Sequence, residues 1–223
     1  TVSIPADTSA VGTYTVTVAG VGNYEGSKGS AEYAITKVSQ AALTIDPTGS
    51  KTYGDAPFTI TVAGGSSDGA YSLASSDPSI LSLEPGEAAG TWTAAIRKAG
   101  KVTLTAGKAE DNNYKPAQCT AELTVDPKAL TEGSAALPQG FAPIYSGSAF
   151  EPEITVKDGE TVLVKDADYT VTYADNINAG QATVTAAGLG NYAGTITMHF
   201  TIAPRNLAGE GVALSGRPKQ IRY

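Results

Sequence analysis

An eight-residue turn occurs at two places in the sequence, with six of its eight positions identical. The first copy runs from Ala19 to Gly26 and the second from Ala187 to Gly194, and both carry Gly-Asn-Tyr at their centre. The copies are 168 residues apart at each end (187 − 19 = 168 and 194 − 26 = 168). A looser copy occupies 111–114, and each copy is followed by a run of alternating apolar and polar residues. Such alternation is typical of strands with one buried face, so we expect an array of related β units.

The first 37 residues contain strand patterns on both sides of the first turn. Tyr14, Val16 and Val18 alternate with threonines before the turn, and the alternation resumes after it. Glycine and asparagine within the turn tolerate the positive φ that a tight reversal requires. Residues 1–37 are therefore predicted to be the C-terminal part of a repeat.

Two complete units are predicted at 38–126 and 127–203. The first contains about seven short alternating runs separated by turn signals, which is the pattern of a β-sandwich. The second repeats this plan, with Tyr145-Ser146-Gly147 where the first has Tyr53-Gly54. Both complete units are therefore predicted to be sandwiches.

A further repeat is predicted to begin at residue 204. The spacing from Tyr114 to Tyr192 is 78 residues (192 − 114 = 78), and Tyr145 to Tyr223 has the same spacing (223 − 145 = 78). Residues 204–223 are therefore predicted to be the opening strands of another unit. Because 1–37 carries late strands and 204–223 early ones, head-to-tail pairing between chains is an alternative to a monomer.

Composition and charge exclude several classes of partner. The chain has 15 basic and 22 acidic residues, a net charge of −7 and a pI near 4.7. An acidic chain without a basic patch is not expected to bind nucleic acid. No apolar run approaches the roughly 18 residues of a membrane span, so direct membrane insertion is not expected. With one cysteine, an internal disulfide cannot form.

The motifs of both complete units resemble a known group of repeats. The second unit carries Asp168-Tyr169-Thr170-Val171-Thr172-Tyr173 and the turn Gly188-Leu189-Gly190-Asn191-Tyr192-Ala193-Gly194, and the first carries Lys51-Thr52-Tyr53-Gly54-Asp55 and Asp111-Asn112-Asn113-Tyr114. These motifs resemble the bacterial immunoglobulin-like repeats of Gram-positive, Firmicutes-type, cell-surface proteins. The resemblance implies an all-β fold of tandem immunoglobulin-like β-sandwich domains. It also implies an extracellular location, at the cell surface or cell wall or in a secreted protein.

Acidic loop residues are the candidate metal ligands. Asp166, Asp168 and Asp175 supply hard oxygens, and Glu110 with Asp111 forms a second acidic group. Calcium takes six to eight such ligands, but the sequence holds no twelve-residue calcium loop. The alternative is that these residues cap and bend the backbone at turns. No cofactor is expected apart from calcium at the first group.

Aromatic residues are the candidate ligand-binding residues. Trp92, Tyr53 and Tyr114 could form a platform on which sugar rings stack. Trp92, however, alternates in phase with Ala94 and Ile96, and a sandwich of this size often keeps one buried tryptophan. The core is therefore the favoured position for Trp92.

Nothing in the sequence marks a catalytic residue. His199, the single histidine, is out of phase with Met198 and Phe200 and is expected to face solvent. Cys119 is in phase with Leu123 and is expected to be a small buried side chain, since Glu122 and other acids nearby oppose a thiolate.

The function predicted from the sequence is therefore non-catalytic. The chain is expected to be a stalk or spacer in a bacterial surface or secreted protein. The alternative is an adhesive or carbohydrate-binding module that recognises a host surface protein or a glycan.

Overall fold

The computed structural model describes residues 1–4 and 10–206. Two compact units result from the contacts within the chain, Thr1–Asp126 and Pro127–Tyr223. Of the repeat predicted at 204–223, the part from residue 207 onwards lies outside the described residues. The four-part division at 37, 126 and 203 stays a prediction.

The first unit opens with a small antiparallel sheet. Its strands are β1 (Val2–Ser3), β2 (Gly12–Ala19) and β3 (Lys28–Ile35), in the order β1-β2-β3. A short 3-10 helix at Gly22–Tyr24 forms the turn between β2 and β3. Val16 pairs with Ala31 and Tyr14 with Tyr33, so the predicted apolar positions share one face.

Residues 43–126 form a sandwich of two four-stranded sheets. One sheet has the order β4-β6-β9-β8 and the other β5-β11-β10-β7. The strands in chain order are β4 (Leu43–Asp46), β5 (Gly49–Thr52), β6 (Phe58–Gly64), β7 (Tyr71–Ser75), β8 (Leu81–Pro85), β9 (Thr91–Ile96), β10 (Gly100–Lys108) and β11 (Ala117–Asp126).

Both sheets of this sandwich contribute to one apolar core. Period-two alternation turns every second side chain inward, and the predicted inner faces of β9, β10 and β11 are confirmed. The most deeply buried members form one cluster: Ile60, Leu81, Ala94, Val102, Leu104, Leu123 and Val125.

One strand of this sandwich has no strand signal in the sequence. β5 reads Gly-Ser-Lys-Thr, which lacks an apolar alternation. It forms because it pairs in parallel with the end of β11, with Gly49 beside Leu123 and Thr52 beside Asp126. The sandwich therefore has eight strands where the pattern predicted about seven.

The second unit is also built from β-sheets, but each has fewer strands than those of the first sandwich. Its sheets are β13-β14-β15, β16-β17-β19 and the two-stranded β12-β18. The strands are β12 (Lys128–Ala129), β13 (Ala135–Ala136), β14 (Thr155–Asp158), β15 (Thr161–Val162), β16 (Tyr169–Ala174), β17 (Gly180–Gly188), β18 (Tyr192–Ala193) and β19 (Thr195–Ile202). The predicted Asp-Gly hairpin is confirmed, because Asp158 pairs with Thr161 across a turn in which Gly159 has a φ of +58°.

The core of the second unit lies between the sheet β16-β17-β19 and the segments that precede it. Ala182, Val184 and Ile202 are fully buried. Leu137, Phe141 and Phe150 pack against this inner face from the earlier part of the unit. The chain is thus all-β and folds as tandem immunoglobulin-like β-sandwich domains.

Candidate functional site

Trp92 lies in the core of the first sandwich and not on its surface. Its side chain is 8% exposed and packs against Val62 and Ala106. Position 92 shares the inner face of β9 with Ala94, as the alternation predicts. Because so little of the side chain is exposed, the structure favours the core over a sugar-stacking platform for Trp92.

The other two candidate aromatic residues occupy different environments. Tyr53 is half-buried and packs against the cluster that contains Leu104. Tyr114 is half-buried in the Asn-Tyr turn, where its backbone forms a bridge with Val38. Trp92, Tyr53 and Tyr114 therefore do not form one exposed aromatic surface.

The predicted calcium ligands are not brought together. Asp168 immediately precedes β16 and Asp175 immediately follows it. Seven residue steps of extended chain separate them by about 23 Å, at about 3.3 Å per residue. Within the described part of the chain, no group of three or more His, Cys, Asp or Glu side chains is placed to hold a metal ion. The three carboxylates are therefore not grouped as one ligand set in the described residues, and calcium binding by Asp166, Asp168 and Asp175 stays a prediction.

Turn geometry accounts for these three carboxylates instead. Asp166 and Asp175 adopt positive φ values of 66° and 52°, a region that aspartate tolerates better than most residues. The backbone N–H of Val164 donates to the Asp168 carboxylate at 2.8 Å. All three residues therefore shape the loops at the two ends of β16.

The second acidic group is organised around Asp111. Its carboxylate accepts backbone N–H bonds from Asn113 and Tyr114 at 2.8 Å and from Asp68 at 3.0 Å. These bonds favour the charged form of the carboxylate and so lower the pKa of Asp111. The bond from Asn113 has the largest effect. This carboxylate holds the Asn-Tyr turn against the loop that contains Asp68.

The residue at the start of each complete domain is bound to the Asn-Tyr turn of the same domain. Val38 donates its N–H to the carbonyl oxygen of Asn113 at 3.0 Å and accepts from Lys115 at 2.8 Å. In the second unit, Lys128 donates in the same way to Asn191 at 2.9 Å. We call these two pairings the joint clamps. Sequence reasoning missed them, although the recurrence of the turn was the available signal.

An ionic contact reinforces each joint clamp. Lys37 lies 2.9 Å from Glu110 beside the first clamp, and Lys128 forms an ion pair with Asp158 beside the second. The Asp158 carboxylate also accepts a hydrogen bond from the Tyr192 hydroxyl at 3.3 Å. The residues that follow each joint are therefore tied to the body of the domain that they open.

The C-terminal end of each complete domain is paired in parallel with an earlier segment of that domain. β5 and β11 form a four-residue parallel ladder in the first sandwich. In the second unit, Tyr145 donates to the carbonyl oxygen of Ala203 at 2.8 Å, and Ala203 donates to that of Pro143 at 2.9 Å. Each domain thus joins its beginning to its end by parallel backbone bonds.

A small cavity of about 250 Å³ lies beside the start of β14. Its wall includes Glu151, Glu153, Tyr169 and Tyr173. The Tyr173 hydroxyl donates to the carbonyl oxygen of Pro152 at 2.8 Å, and that of Tyr169 also donates to the backbone. Burial is the main cause that raises the pKa of both phenols, and the neighbouring glutamates raise it further. Both hydroxyls therefore act as neutral donors that fix this edge of the second core.

The histidine and the cysteine have the predicted orientations. His199 is exposed on β19, with its Nδ1 atom 3.2 Å from the Thr183 hydroxyl. Cys119 is half-buried against the cluster around Trp92. Among residues 1–4 and 10–206, no helix has both the length and the apolar character needed to cross a bilayer.

Comparisons with known proteins yield distant structural neighbours only. No protein-family model and no curated protein matches the chain. Among solved structures, a three-domain fragment of mouse protocadherin-24 (EC1-3) is 11% identical, with 89% of this chain and 80% of that chain covered and a TM-score of 0.30. Extracellular cadherin domains 3–6 of protocadherin gamma B2 are 10% identical, with 87% and 57% covered and a TM-score of 0.31. At these scores the likeness carries no argument about function.

Proposed function

We propose that the chain is a non-catalytic, load-bearing stalk or spacer module of a bacterial surface or secreted protein. The resemblance of its repeat motifs supports the bacterial, extracellular setting at the cell surface or cell wall. Tandem sandwiches support the stalk, because domains joined by short segments extend the reach of whatever they carry.

The parallel pairing of early and late segments is the observation that carries this proposal. Tension applied through the two ends of a domain pulls parallel strands in opposite directions along their axes. All bonds between the strands are then loaded together in shear, whereas an antiparallel hairpin opens one bond at a time. The ladder of β5 with β11 and the bridge of Ile144 with Ala203 are placed to resist tension in this way.

The joint clamps support the same proposal. Val38 and Lys128 are backbone-bonded to the domains that they open. Pro127, directly after Asp126, has a fixed φ and no N–H, which discourages continuous strand pairing across the joint. Short, restrained joints limit the slack that a stalk would otherwise have under load.

Single-molecule stretching of the chain from its two ends tests the proposal. Unfolding of 38–126 (126 − 38 + 1 = 89 residues) and 127–203 (203 − 127 + 1 = 77 residues) should release about 320 and 280 Å of contour length, at about 3.6 Å per residue. Two well-separated high-force events of these lengths are expected. Unfolding at forces near the instrument's noise would contradict a load-bearing role.

A pair of matched variants locates the resistance. Ala203→Pro removes the N–H that bonds Pro143 in the parallel bridge, and Ala167→Pro removes one backbone bond in an exposed turn of the same domain. Ala203→Pro should lower the unfolding force of the domain 127–203. This force should be lower than that of the Ala167→Pro protein even when the two variants have lost the same thermal stability. Equal forces in the two variants would show that the bridge does not bear the load.

An adhesive module that binds a host surface protein or a glycan is the second candidate function. Tyr145, Ala179 and Pro204 line an apolar hollow of about 340 Å³ that an aromatic or sugar ring could enter. Binding to a glycan and extracellular-matrix array, with and without a calcium chelator, tests this function. A specific signal that Tyr145→Ala abolishes would favour adhesion, and a blank array from folded protein would favour the stalk.

A further inference from the structure

Strand β16 lies at the edge of the sheet β16-β17-β19, and among the described strands only β17 pairs with it. Tyr169 of β16 lies opposite Gly188 of β17. The carbonyl oxygen of Tyr169 accepts from the N–H of Asp166 at 2.7 Å. The N–H of Gly188 donates to the carbonyl oxygen of Gly194 at 2.9 Å. Tyr169 and Gly188 therefore bond away from each other and form a non-hydrogen-bonded pair.

The same alternation leaves part of the outer edge of β16 open. The register with β17 is regular from Tyr169 to Ala174, so every second residue after Tyr169 has the same orientation. Val171 and Tyr173 therefore point their backbone N–H and C=O groups away from β17. In the part of the chain that the structure describes, these four groups have no hydrogen-bond partner.

β16 also lacks the features that usually protect an edge strand. Exposed edges are commonly blunted by lysine, by proline or by a β-bulge. β16 reads Tyr-Thr-Val-Thr-Tyr-Ala, without a charged residue or a proline, and its register has no bulge. Such an edge is a ready template for pairing with a further strand.

A cavity lies on the inner side of this open edge. Its volume is about 250 Å³, and its wall includes Val171 and Tyr173, together with Ile154 from the segment before β14. Sites for small-molecule ligands are usually larger, at about 300–1,000 Å³, so this cavity suits a single side chain. A residue that paired opposite Val171 would point its side chain to the same face as Val171, towards the cavity.

The wall of the cavity has the chemistry of a site for an ammonium group. Glu151 and Glu153 contribute two carboxylates and Lys165 one cation, a net charge of −1 (1 − 2 = −1). The ion pairs of the described residues join other partners, so Lys165 does not neutralise either glutamate. The rings of Tyr169 and Tyr173 present faces that attract cations. Their hydroxyls donate to the backbone and keep lone pairs for a further donor.

We propose that the outer edge of β16 binds an extended peptide segment of a partner protein, with a lysine side chain of that segment in the cavity. Backbone bonds from Val171 and Tyr173 supply the affinity, as is usual when a strand is added to a sheet, and the cavity supplies the specificity. Glu151 and Glu153 bind the ammonium group, and Ile154 packs on the apolar stem of the lysine. This binding site goes beyond the load-bearing role.

Titration of the full chain with the peptide acetyl-Thr-Val-Thr-Lys-Thr-Val-Thr-amide tests this proposal. The alternation of this probe places its lysine and its two valines on one face. Binding should have a dissociation constant below about 1 mM. Amide hydrogen exchange, followed by NMR spectroscopy, should show new protection at Val171 and Tyr173. Thr172, whose N–H points towards β17, is the internal control and should change little.

Two altered peptides separate the contributions of charge and backbone. Norleucine in place of lysine keeps an apolar stem and removes the ammonium group, and it should weaken binding by at least about tenfold. Methylation of the lysine backbone nitrogen removes the donor that faces Val171, and it should weaken binding by about tenfold. Neither change alters the protein, so a loss of folding cannot produce either result.

Matched variants of the protein test the same two contributions. The double variant Glu151→Gln, Glu153→Gln should weaken binding by at least about tenfold, whereas Glu160→Gln, an exposed glutamate in the hairpin turn, should have no effect. Val171→Pro removes an N–H from the open edge, where proline is tolerated, and should weaken binding more than Val171→Ala. Circular dichroism of each variant establishes that it is folded.

Three results would overturn the proposal. The first is a lysine peptide that does not bind at about 1 mM. The second is equal binding of the lysine and norleucine peptides, or of the wild type and the double glutamine variant, since the cavity would then not recognise charge. The third is a methylated peptide, or lysine amide alone, that binds as tightly as the parent peptide, since no strand would then be added. The stretching experiment tests a separate feature, because the site uses neither Ile144 nor Ala203 of the parallel bridge.

Discussion

Truncation of Leu104 to alanine should lower the free energy of unfolding of the first sandwich by about 3 kcal/mol. Leu104 is fully buried on β10, in the cluster to which both sheets contribute. Removing three carbons from this site loses about 2.4 kcal/mol of transfer free energy, at about 0.8 kcal/mol for each. The cavity left behind adds to this loss, which places the total near the lower end of measured Leu→Ala costs of roughly 2.7–5 kcal/mol.

Fluorescence of Trp92 during urea unfolding measures this change. Trp92 is the one tryptophan of the chain and lies in the core of the same sandwich, so its emission reports on that sandwich alone. With a denaturant slope of about 1.5 kcal/mol per molar urea, a loss of 3 kcal/mol lowers the midpoint by about 2 M. A domain with an unfolding free energy of about 5–15 kcal/mol would remain folded in water.

The matched control is Val184→Ala in the second unit. Val184 is also fully buried, but it lies on β17, in the other compact unit. This substitution should leave the Trp92 midpoint unchanged while it destabilises its own domain. A shift below about 0.5 M for Leu104→Ala would refute the core position of Leu104. An equal shift for Val184→Ala would refute independent unfolding of the two units.

Three further predictions concern turns and ionisable groups. Gly64→Ala should cost more than Gly159→Ala by at least about 1 kcal/mol in thermal unfolding, because both have positive φ but only at Gly64 would an added Cβ overlap a backbone carbonyl oxygen. The folded pKa of Asp111 is below its ordinary value of 3.8, so this carboxylate stabilises the first sandwich above that pH. The contribution is lost as the pH falls through the folded pKa. Asp111→Asn should therefore reduce the fall in stability at acid pH, which is the acid limb of the stability curve. The pKa values of Tyr169 and Tyr173 are raised above 10.0, so their contribution to stability is present below pH 10 and lost as the pH rises through the raised values. In an ultraviolet titration, Tyr173→Phe should remove one late-titrating phenol from the wild-type curve. An unchanged acid limb in Asp111→Asn, or an unchanged late part of the phenol titration in Tyr173→Phe, would contradict the respective assignment.

Period-two alternation was sufficient to predict most of the fold. It placed Trp92 and Leu104 on inner faces and His199 on an outer face, because a strand turns successive side chains to opposite sides. The same rule did not find β5, whose polar Gly-Ser-Lys-Thr run is a strand only through its pairing with β11.

The predicted sites depended on separations that a sequence does not contain. Asp168 and Asp175 are close in sequence, but the intervening strand is extended and holds them about 23 Å apart. Asp111, in contrast, receives the N–H of Asp68 from a loop that lies 43 residues earlier (111 − 68 = 43). Local spacing thus suggested a cluster that an extended backbone separates, and it missed a contact that folding creates.

The sequence by itself determined the architecture of this protein: local alternation and turn chemistry encode all-β units, and the repeated Asn-Tyr turn encodes their tandem order. Tertiary structure alone decided which segments meet. The joint clamp of Val38 and the parallel ladder of β5 with β11 join residues far apart in the chain. The physical reason is that backbone hydrogen bonds between distant strands carry no side-chain signature, whereas the burial of one face of each strand does.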